Sequence, residues 1–390
     1  MLLLSSRLAV RSVPSPRTLV GALSIRSGAA AGASASPSMA YRGARAPSHA
    51  GSWYSADDAT LDADVASFLR GARPADDAAA AVDDDDGARH PRPHPSPSGR
   101  RAPRALIVPH AGFSYSGPAA GWGYVNVDPA AVDRVFLLGP SHHVFLRGCA
   151  LTAFATYATP IGDLEIDRET CDALLARTPA TLPEDDDGRT PPGPAFVRMD
   201  AAVDEAEHSL EMHLPFIRKL FSSRDGDEEK KATSPTSSPV SLPPVKLVPV
   251  LVGALTVRLE KFYGEALAPY LDDPRNLFVV STDFCHWGRR FGYTPWAGEA
   301  EGTPLHESIE RLDRRGMRTI EAKDAEAFAA YLAETRNTIC GRHPLGVFLR
   351  ALERSRGFRD RAIQFTRYEQ SGRAEGYRDS SVSYASAVVF

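Results

Sequence analysis

Short apolar runs that end in polar, chemistry-bearing side chains are the feature that most constrains how this chain folds. The run 277–280 (LFVV) is followed almost at once by Asp283, Cys285 and His286. An apolar, β-branched run of this length is typical of a strand buried on both faces of a sheet. Ligands of open α/β sheets bind outside the carboxyl ends of the strands. This stretch therefore predicts a functional site.

Two other apolar runs end in the same way. Residues 104–109 (RALIVP) lead into His110, and residues 134–140 (RVFLLGP) lead to His142 and His143. If these strands are parallel neighbours, their carboxyl ends lie at one edge of the sheet. The three imidazole-bearing ends are then expected to converge on one pocket.

Strand-like and helix-like segments alternate through most of the chain. Apolar residues make up 43% of the 390 residues, which is enough for a sizeable core. Residues 380–389 alternate as a final strand. This order predicts an α/β fold, with a mostly parallel central sheet and helices on both of its faces.

Charge and cysteine usage exclude several classes of protein. The net charge is −4, without the clustered Lys and Arg that nucleic acids require. The sequence contains no run of 18 uncharged apolar residues, so no membrane span is predicted. The four cysteines form no CxxC pair, which disfavours a structural zinc site and a disulfide framework. A reducing compartment, the cytoplasm, is expected.

Low-complexity segments flank and interrupt the predicted domain, which spans residues 46–390. Residues 1–40 are rich in Ser and Arg and contain no acidic residue. They predict either an organelle transit peptide, mitochondrial or plastid, or a disordered extension. Insertions are expected near 73–103, 179–198 and 222–244. The first insertion carries His90 and His94, for which a solvated loop is favoured over a metal site.

The polar residues near the strand ends favour a metal site. Imidazoles with a carboxylate or a thiolate suit iron, copper or zinc better than magnesium or calcium. Ligands scattered over distant segments suit a catalytic site with an open position. A single histidine is more often a hydrogen-bonded core residue, but three strand ends make that explanation weaker. The candidates are His110, His142, His143, Asp283, Cys285, His286 and Cys340.

A thiol nucleophile is the alternative that these residues leave open. Cys340 or Cys285, with a nearby histidine and Asp283, has the components of such a site. Asn337 or Thr338 is expected to cap a helix that starts near Cys340, and a helix N-terminus favours the thiolate. The metal content of the purified protein distinguishes the two hypotheses.

Residues 204–215 (DEAEHSLEMHLP) predict one helix with acidic and imidazole groups on a shared face. His208 and Glu211 are three residues apart, and Glu207 and Glu211 are four apart. The spacing differs from HExxH, so a zinc-protease motif is excluded.

Eight motifs follow one another along the chain: SHAGSWY, PHAGFSYSG, LGPSHH, EHSLEMHLPF, PVLVGAL, STDFCHWG, TICGRHPLGV and DSSVSYA. In this order they resemble the Memo family, whose animal member mediates receptor-tyrosine-kinase-driven cell motility. The similarity covers about residues 46–390 apart from the insertions. The family's fold resembles that of extradiol, non-haem-iron dioxygenases, an α/β sheet flanked by helices.

The resemblance implies a metal site of His110, His142 and Cys340, with Asp283 and His286 lining the same pocket. These two are expected to be catalytic groups that either support the ligands or shuttle a proton. Iron or copper is the implied cofactor, linked to redox or to signalling and cytoskeletal regulation. A thiolate replaces the glutamate of the dioxygenases, which argues against ring cleavage. The implied alternatives are a phosphotyrosine-peptide binding module with a vestigial metal site, and a dioxygenase acting on an unknown small-molecule substrate.

Overall fold

A computed structural model describes residues 40–75, 102–177, 182, 193–222, 243–357 and 360–390. These residues belong to one compact unit, Ala40–Phe390. Residues 1–39 of the predicted extension lie outside the described residues. So do most of the three predicted insertions, including His90 and His94.

Twelve strands of the described residues form one sheet, in the order β1-β5-β6-β8-β3-β9-β2-β12-β10. β11 pairs with β12, and β4 pairs with β7 and β8. The strands are β1 (Arg42–Arg45), β2 (Ala105–Val108), β3 (Arg134–Pro140), β4 (Cys149–Leu151), β5 (Phe154–Tyr157), β6 (Leu164–Ile166), β7 (Phe196–Arg198), β8 (Lys246–Val252), β9 (Asn276–Ser281), β10 (His286–Gly288), β11 (Ile363–Gln370) and β12 (Ser380–Val389).

Ten α-helices lie within the described residues, and several of them flank the sheet. They are α1 (Asp58–Gly71), α2 (Phe113–Tyr124), α3 (Arg168–Leu175), α4 (Ala201–Ala206), α5 (His208–Glu211), α6 (Leu214–Phe221), α7 (Val257–Asp272), α8 (Leu305–Glu321), α9 (Ala325–Thr335) and α10 (Arg342–Arg354).

The centre of the sheet is parallel, as the apolar runs predicted. β8, β3, β9 and β2 are consecutive neighbours, and all three of their pairings are parallel. Every residue of β2 and β9 is buried. β12 is antiparallel to β2, β10 and β11, so antiparallel strands form one side of the sheet. The three runs that end in imidazole are therefore adjacent strands with the same direction.

Helices cover both faces of the parallel strands. On one face, the ring of Phe136 in β3 contacts Tyr270 of α7. Gly139 is three residues further along β3 and faces the opposite side. A Cβ atom there would lie 2.6 Å from the Ser209 Oγ of α5. The α/β fold with helices on both faces of a largely parallel sheet is thus confirmed.

Candidate metal centre

His110 follows β2 at the carboxyl edge of the sheet, where it is almost fully buried. Its backbone N–H donates to Asp283 Oδ1 at 2.9 Å, and its Nδ1 lies 2.6 Å from Ser281 Oγ. Burial, and then the nearby His142, hold the pKa of His110 well below its usual value. The imidazole is therefore neutral, which is the form that binds metals.

Ser281, the last residue of β9, determines the tautomer of His110. Its hydroxyl donates to the Ser209 carbonyl at 2.7 Å, and this oxygen can only accept. With its single hydrogen used there, Ser281 Oγ accepts from both His110 Nδ1 and His213 Nε2, at 2.6 and 2.8 Å. The Nε2 lone pair of His110 is thereby left for a metal.

His142 follows β3, and Glu207 orients its ring in a similar way. Glu207 Oε1 lies 2.8 Å from His142 Nδ1, and Oε2 accepts from the His142 backbone N–H at 2.7 Å. Burial acts to raise the pKa of Glu207, but the hydrogen bonds and charge of His142, together with the nearby His208, outweigh burial and lower the pKa to about 2. A carboxylate on Nδ1 fixes the ring and directs Nε2 away from it, as for metal-binding histidines.

Burial alone would lower the pKa of His142. The nearby Cys340 and the hydrogen-bonded carboxylate of Glu207 together outweigh this effect and raise the pKa of His142 to about 10. Metal binding at His142 Nε2 would displace a proton, so metal affinity is expected to depend on pH.

Cys340 lies in the short loop between α9 and α10. The Asp283 backbone N–H donates to its Sγ at 3.2 Å, and Sγ lies 3.2 Å from His110 Nε2. Burial raises the pKa of the Cys340 thiol. A raised pKa does not favour a free thiolate nucleophile, whereas a bound metal deprotonates a coordinating thiol outright.

The atoms of His110, His142 and Cys340 that can ligate a metal all lie within 4.8 Å of one another. The two imidazole centroids are 5.2 Å apart, and the ring planes are inclined by 75°. Two imidazoles on one tetrahedral ion, with metal–nitrogen bonds near 2 Å, would have centroids roughly 5 Å apart. A sulfur and a nitrogen ligand would be separated by about 3.5 Å. The residues therefore fit a single metal ion.

A second group, His142, Glu207 and His208, also lies within 4.8 Å. Its geometry does not suit a shared ion, because the rings of His142 and His208 are stacked at 4.4 Å and 17°. Imidazole lone pairs point outward in the ring plane, and two stacked planes cannot both contain the same ion. His208 instead packs between His142 and Trp53, whose ring centroid is 4.5 Å away.

Asp283 and His286 lie near the three-residue cluster without belonging to it. Burial raises the pKa of Asp283 to about 7. His286 Nδ1 is 2.9 Å from the Phe284 carbonyl and 3.1 Å from that of Thr338. Because both carbonyls accept, Nδ1 carries a hydrogen. Burial lowers the pKa of His286, so the neutral ring is favoured and its Nε2 is unprotonated.

Two other candidates from the sequence lie elsewhere. Cys285 is fully buried in an apolar cluster with Trp287 and Leu305, and burial holds the pKa of its thiol well above the usual value. It is therefore poorly suited to be a nucleophile. His143 is exposed, and its ring contacts His208 at 6.0 Å.

The prediction of one helix over 204–215 was wrong. Glu207 has extended backbone, with φ −84° and ψ 119°, and separates α4 from α5 as the N-cap. Glu207 and Glu211 consequently do not share a helix face. Glu211 binds Arg45, His49 and Tyr54, at 2.7, 2.8 and 2.7 Å. Because the Glu207 carboxylate caps the second helix, the chain leaves helical geometry at this residue. Helical periodicity in the sequence does not reveal such an interruption.

The predicted helix cap by Asn337 or Thr338 was also wrong. α10 begins at Arg342, its N-cap is Gly341, and no side chain caps it. Thr338 Oγ1 accepts from the His286 N–H at 2.7 Å and donates to the His286 carbonyl at 3.0 Å. Thr338 therefore links the Cys340 loop to β10.

Sequence reasoning missed the residues that orient the imidazoles. His213 Nδ1 lies 2.9 Å from the Tyr124 hydroxyl, which donates to it, and His213 Nε2 binds Ser281. Burial lowers the pKa of His213 to about 3, so the ring is neutral. The only available signal was the imidazole within the EHSLEMHLPF motif, and its partners come from distant segments.

None of the described helices is both long and apolar enough to cross a bilayer.

The fold and the site define a class of α/β protein with a two-histidine, one-cysteine cluster at the carboxyl edge of a parallel sheet. The model of the Memo-like protein family matches residues 45–388. Protein MEMO1 of Xenopus laevis is 39% identical over 346 residues, which cover 88% of this chain and 97% of that protein. The human protein MEMO1 is 38% identical with the same coverage. The chain belongs to the Memo family.

Two further comparisons involve a nematode protein and a bacterial structure. The memo-1 homologue of Caenorhabditis elegans is 39% identical over 348 residues, covering 89% of this chain and 82% of that protein. The crystal structure of an uncharacterized protein from Escherichia coli K12 aligns with a TM-score of 0.39 and 12% identity. That alignment covers 73% of this chain and 99% of the other, but the score is too low to support any structural conclusion.

Proposed function

We propose that this Memo family protein binds one redox-active metal ion, iron or copper, through His110, His142 and Cys340. The observation that carries the proposal is the approach of their ligating atoms to within 4.8 Å of one another. Independent support comes from Ser281 and Glu207, which hold the Nδ1 atoms of the two imidazoles. Both Nε2 atoms are then the ones offered to the metal.

The ligand types favour a soft or intermediate metal. Two imidazoles and a thiolate suit iron and copper, and the thiolate shifts preference toward reduced copper. When bound, such an ion supplies one-electron redox chemistry. Three protein ligands leave a coordination position open. Asp283, with a pKa near 7, and His286 are the groups proposed to hold or move a proton beside that position.

Elemental analysis of protein purified without oxygen tests the assignment. The wild-type chain is expected to contain close to one iron or copper ion. His142→Ala and Cys340→Ser are expected to lose most of it. Cys285→Ser and His306→Ala are matched controls outside the cluster and should retain the metal. Unchanged metal content in both cluster variants would remove the proposal.

A cavity beside the centre supports a second candidate, recognition of a phosphotyrosine peptide or a small aromatic anion. The cavity measures about 370 Å³ and is lined by Trp53, Ala111, Tyr115, Arg290 and Tyr384, among others. Ala111 directly follows His110. Three aromatic side chains and one guanidinium suit a ring that bears an anionic group.

Calorimetry with a phosphotyrosine peptide, with and without a chelator, separates the two candidates. A binding module whose metal site is vestigial should retain its affinity when the metal is removed. Arg290→Gln should weaken binding about ten-fold or more, whereas Arg311→Gln, on another surface, should not. Absence of measurable binding would eliminate this candidate and leave the metal proposal standing.

A further inference from the structure

A second cavity lies where α7, α9 and the start of α10 meet. It measures about 420 Å³, within the range of small-molecule sites. Its lining has an apolar part and a cationic part. Leu255, Phe328 and Leu332 provide an apolar wall, and Arg336 and Arg342 provide cationic groups. None of the three proposed metal ligands lines this cavity.

The guanidinium groups of Arg336 and Arg342 make no hydrogen bond, ion pair or ring contact with any part of the chain that the structure describes. The carboxylate of Glu260, which also lines the cavity, is bound to His343 Nδ1 at 2.9 Å. The lining therefore presents two exposed, unpaired guanidinium groups beside apolar side chains, and one carboxylate that is bound to His343.

A third cavity of the same size shows that this arrangement is not general. It also measures about 420 Å³ and is lined by Arg311 and Arg315. Both of these arginines form ion pairs, Arg311 with Glu307 at 3.3 Å and Arg315 with Glu334. Unpaired arginines thus distinguish the cavity at the start of α10 from another one of equal volume.

The position of Arg342 adds an electrostatic argument. It is the first residue of α10, a helix of 13 residues whose N-terminus no side chain caps. A cation at the positive end of a helix dipole is unfavourable, whereas an anion there is stabilised. An anion in this cavity would lie among lining groups that include both guanidinium groups, close to the positive end of the α10 dipole.

We infer that this cavity binds a small organic carboxylate with an apolar body. The carboxylate pairs with Arg336 and Arg342, and the body packs on Leu255, Phe328 and Leu332. Guanidinium groups bind carboxylates through paired N–H donors. Burial of a hydrocarbon tail against the apolar wall contributes favourable binding free energy. The site is separate from the proposed metal centre, although Asn337 and Thr338 of its lining belong to the same loop as Cys340.

Calorimetry with octanoate tests the site, and octanamide serves as the uncharged control. Octanoate is expected to bind the full-length protein with one site, and octanamide at least ten-fold more weakly. Arg336→Gln and Arg342→Gln should each weaken octanoate binding at least ten-fold. Arg311→Gln, from the cavity whose arginines are paired, should leave it unchanged.

Two further variants complete the test. Ala329→Phe places a ring in the cavity and should abolish binding without removing a charge. Cys340→Ser should bind octanoate normally, so that failure of the metal proposal and failure of this one give different results. Absence of octanoate binding, or equal binding by the wild type and both arginine variants, would overturn the inference.

Discussion

Ser281 carries a single hydroxyl hydrogen but has three polar neighbours, of which the Ser209 carbonyl can only accept. Both imidazoles beside it must therefore donate. This one constraint orients His110. It also leaves His213 Nδ1 free to accept a hydrogen bond from the buried Tyr124 hydroxyl. At the scale of single residues, the proposed ligands depend on groups that never touch the metal.

Ser281→Ala is expected to lower metal affinity by about 10- to 100-fold, because His110 loses the acceptor that fixes its tautomer. Two buried N–H groups would also lose their partner, at a cost of about 1–3 kcal/mol each. Metal titration and denaturant unfolding measure the two effects. Ser386→Ala removes another buried hydroxyl, bound to the Ala119 carbonyl, and should leave metal affinity unchanged. Equal affinities in both variants would contradict the role given to Ser281.

His213 should make folding sensitive to acid. Burial lowers its pKa to about 3 in the folded chain, against about 6.5 when unfolded. Below pH 6.5 the unfolded state binds one more proton, so stability falls by up to about 1.4 kcal/mol per pH unit as the pH drops toward 3. In chelator-treated protein, His213→Gln is expected to make this dependence shallower between pH 6 and pH 4, while His110 and His208, whose pKa values are also lowered, maintain part of the slope. Parallel stability curves for the two proteins would show that His213 does not titrate in this way.

The elements that matter most are the short loop between α9 and α10 and the end of β9 against which it packs. Gly341 N–H donates to Thr282 Oγ1 at 3.1 Å. A Cβ atom on Gly341 would lie 2.3 Å from Thr282 Cβ and 2.6 Å from the Ser281 carbonyl oxygen. Only glycine permits this approach, and the approach places Cys340 beside His110.

Gly341→Ala is therefore expected to displace the loop and to lose most of the metal, with a stability cost of about 1–3 kcal/mol. Elemental analysis and chemical unfolding measure the two changes. Gly376→Ala, where a Cβ atom meets nothing within 4 Å, is the matched control. Full metal occupancy in the Gly341 variant would show that the close packing is not required.

Across the whole molecule, the proposed centre joins segments that are far apart in sequence. Cys340 and His110 are 230 residues apart, yet Sγ and Nε2 approach to 3.2 Å. A metal bound there would link the ends of β2 and β3 to the loop before α10. Binding to the folded state alone stabilises it by mass action.

Chelation is expected to lower the melting temperature of the wild-type protein by at least a few degrees. A ligand at about 100 times its Kd contributes about 2.7 kcal/mol, and each kcal/mol moves the Tm of a large domain by about 2–4 °C. Scanning fluorimetry with and without a chelator measures the shift, and His142→Ala should show little. A chelator shift of the same size in both proteins would place the stabilising ion elsewhere.

The central strands were predictable because a short, continuous apolar run is stable only when both faces of the strand are buried. β2, β3 and β9 lie where the sequence indicated, and their polar ends share one edge. The partition of 204–215 was not predictable. Glu207 acts as an N-cap and a partner of His142, and neither partner follows from helical spacing.

The sequence by itself determined where the central strands lie, which polar residues follow each of them, and the family. Apolar runs and motif order are local properties of the chain and can be recognised without the fold. Tertiary structure alone decided which polar groups meet. It placed Cys340 against His110, buried Cys285 among apolar side chains and left Arg336 and Arg342 unpaired. Hydrogen-bond direction and ion pairing depend on distances between remote segments, and a linear pattern does not contain those distances.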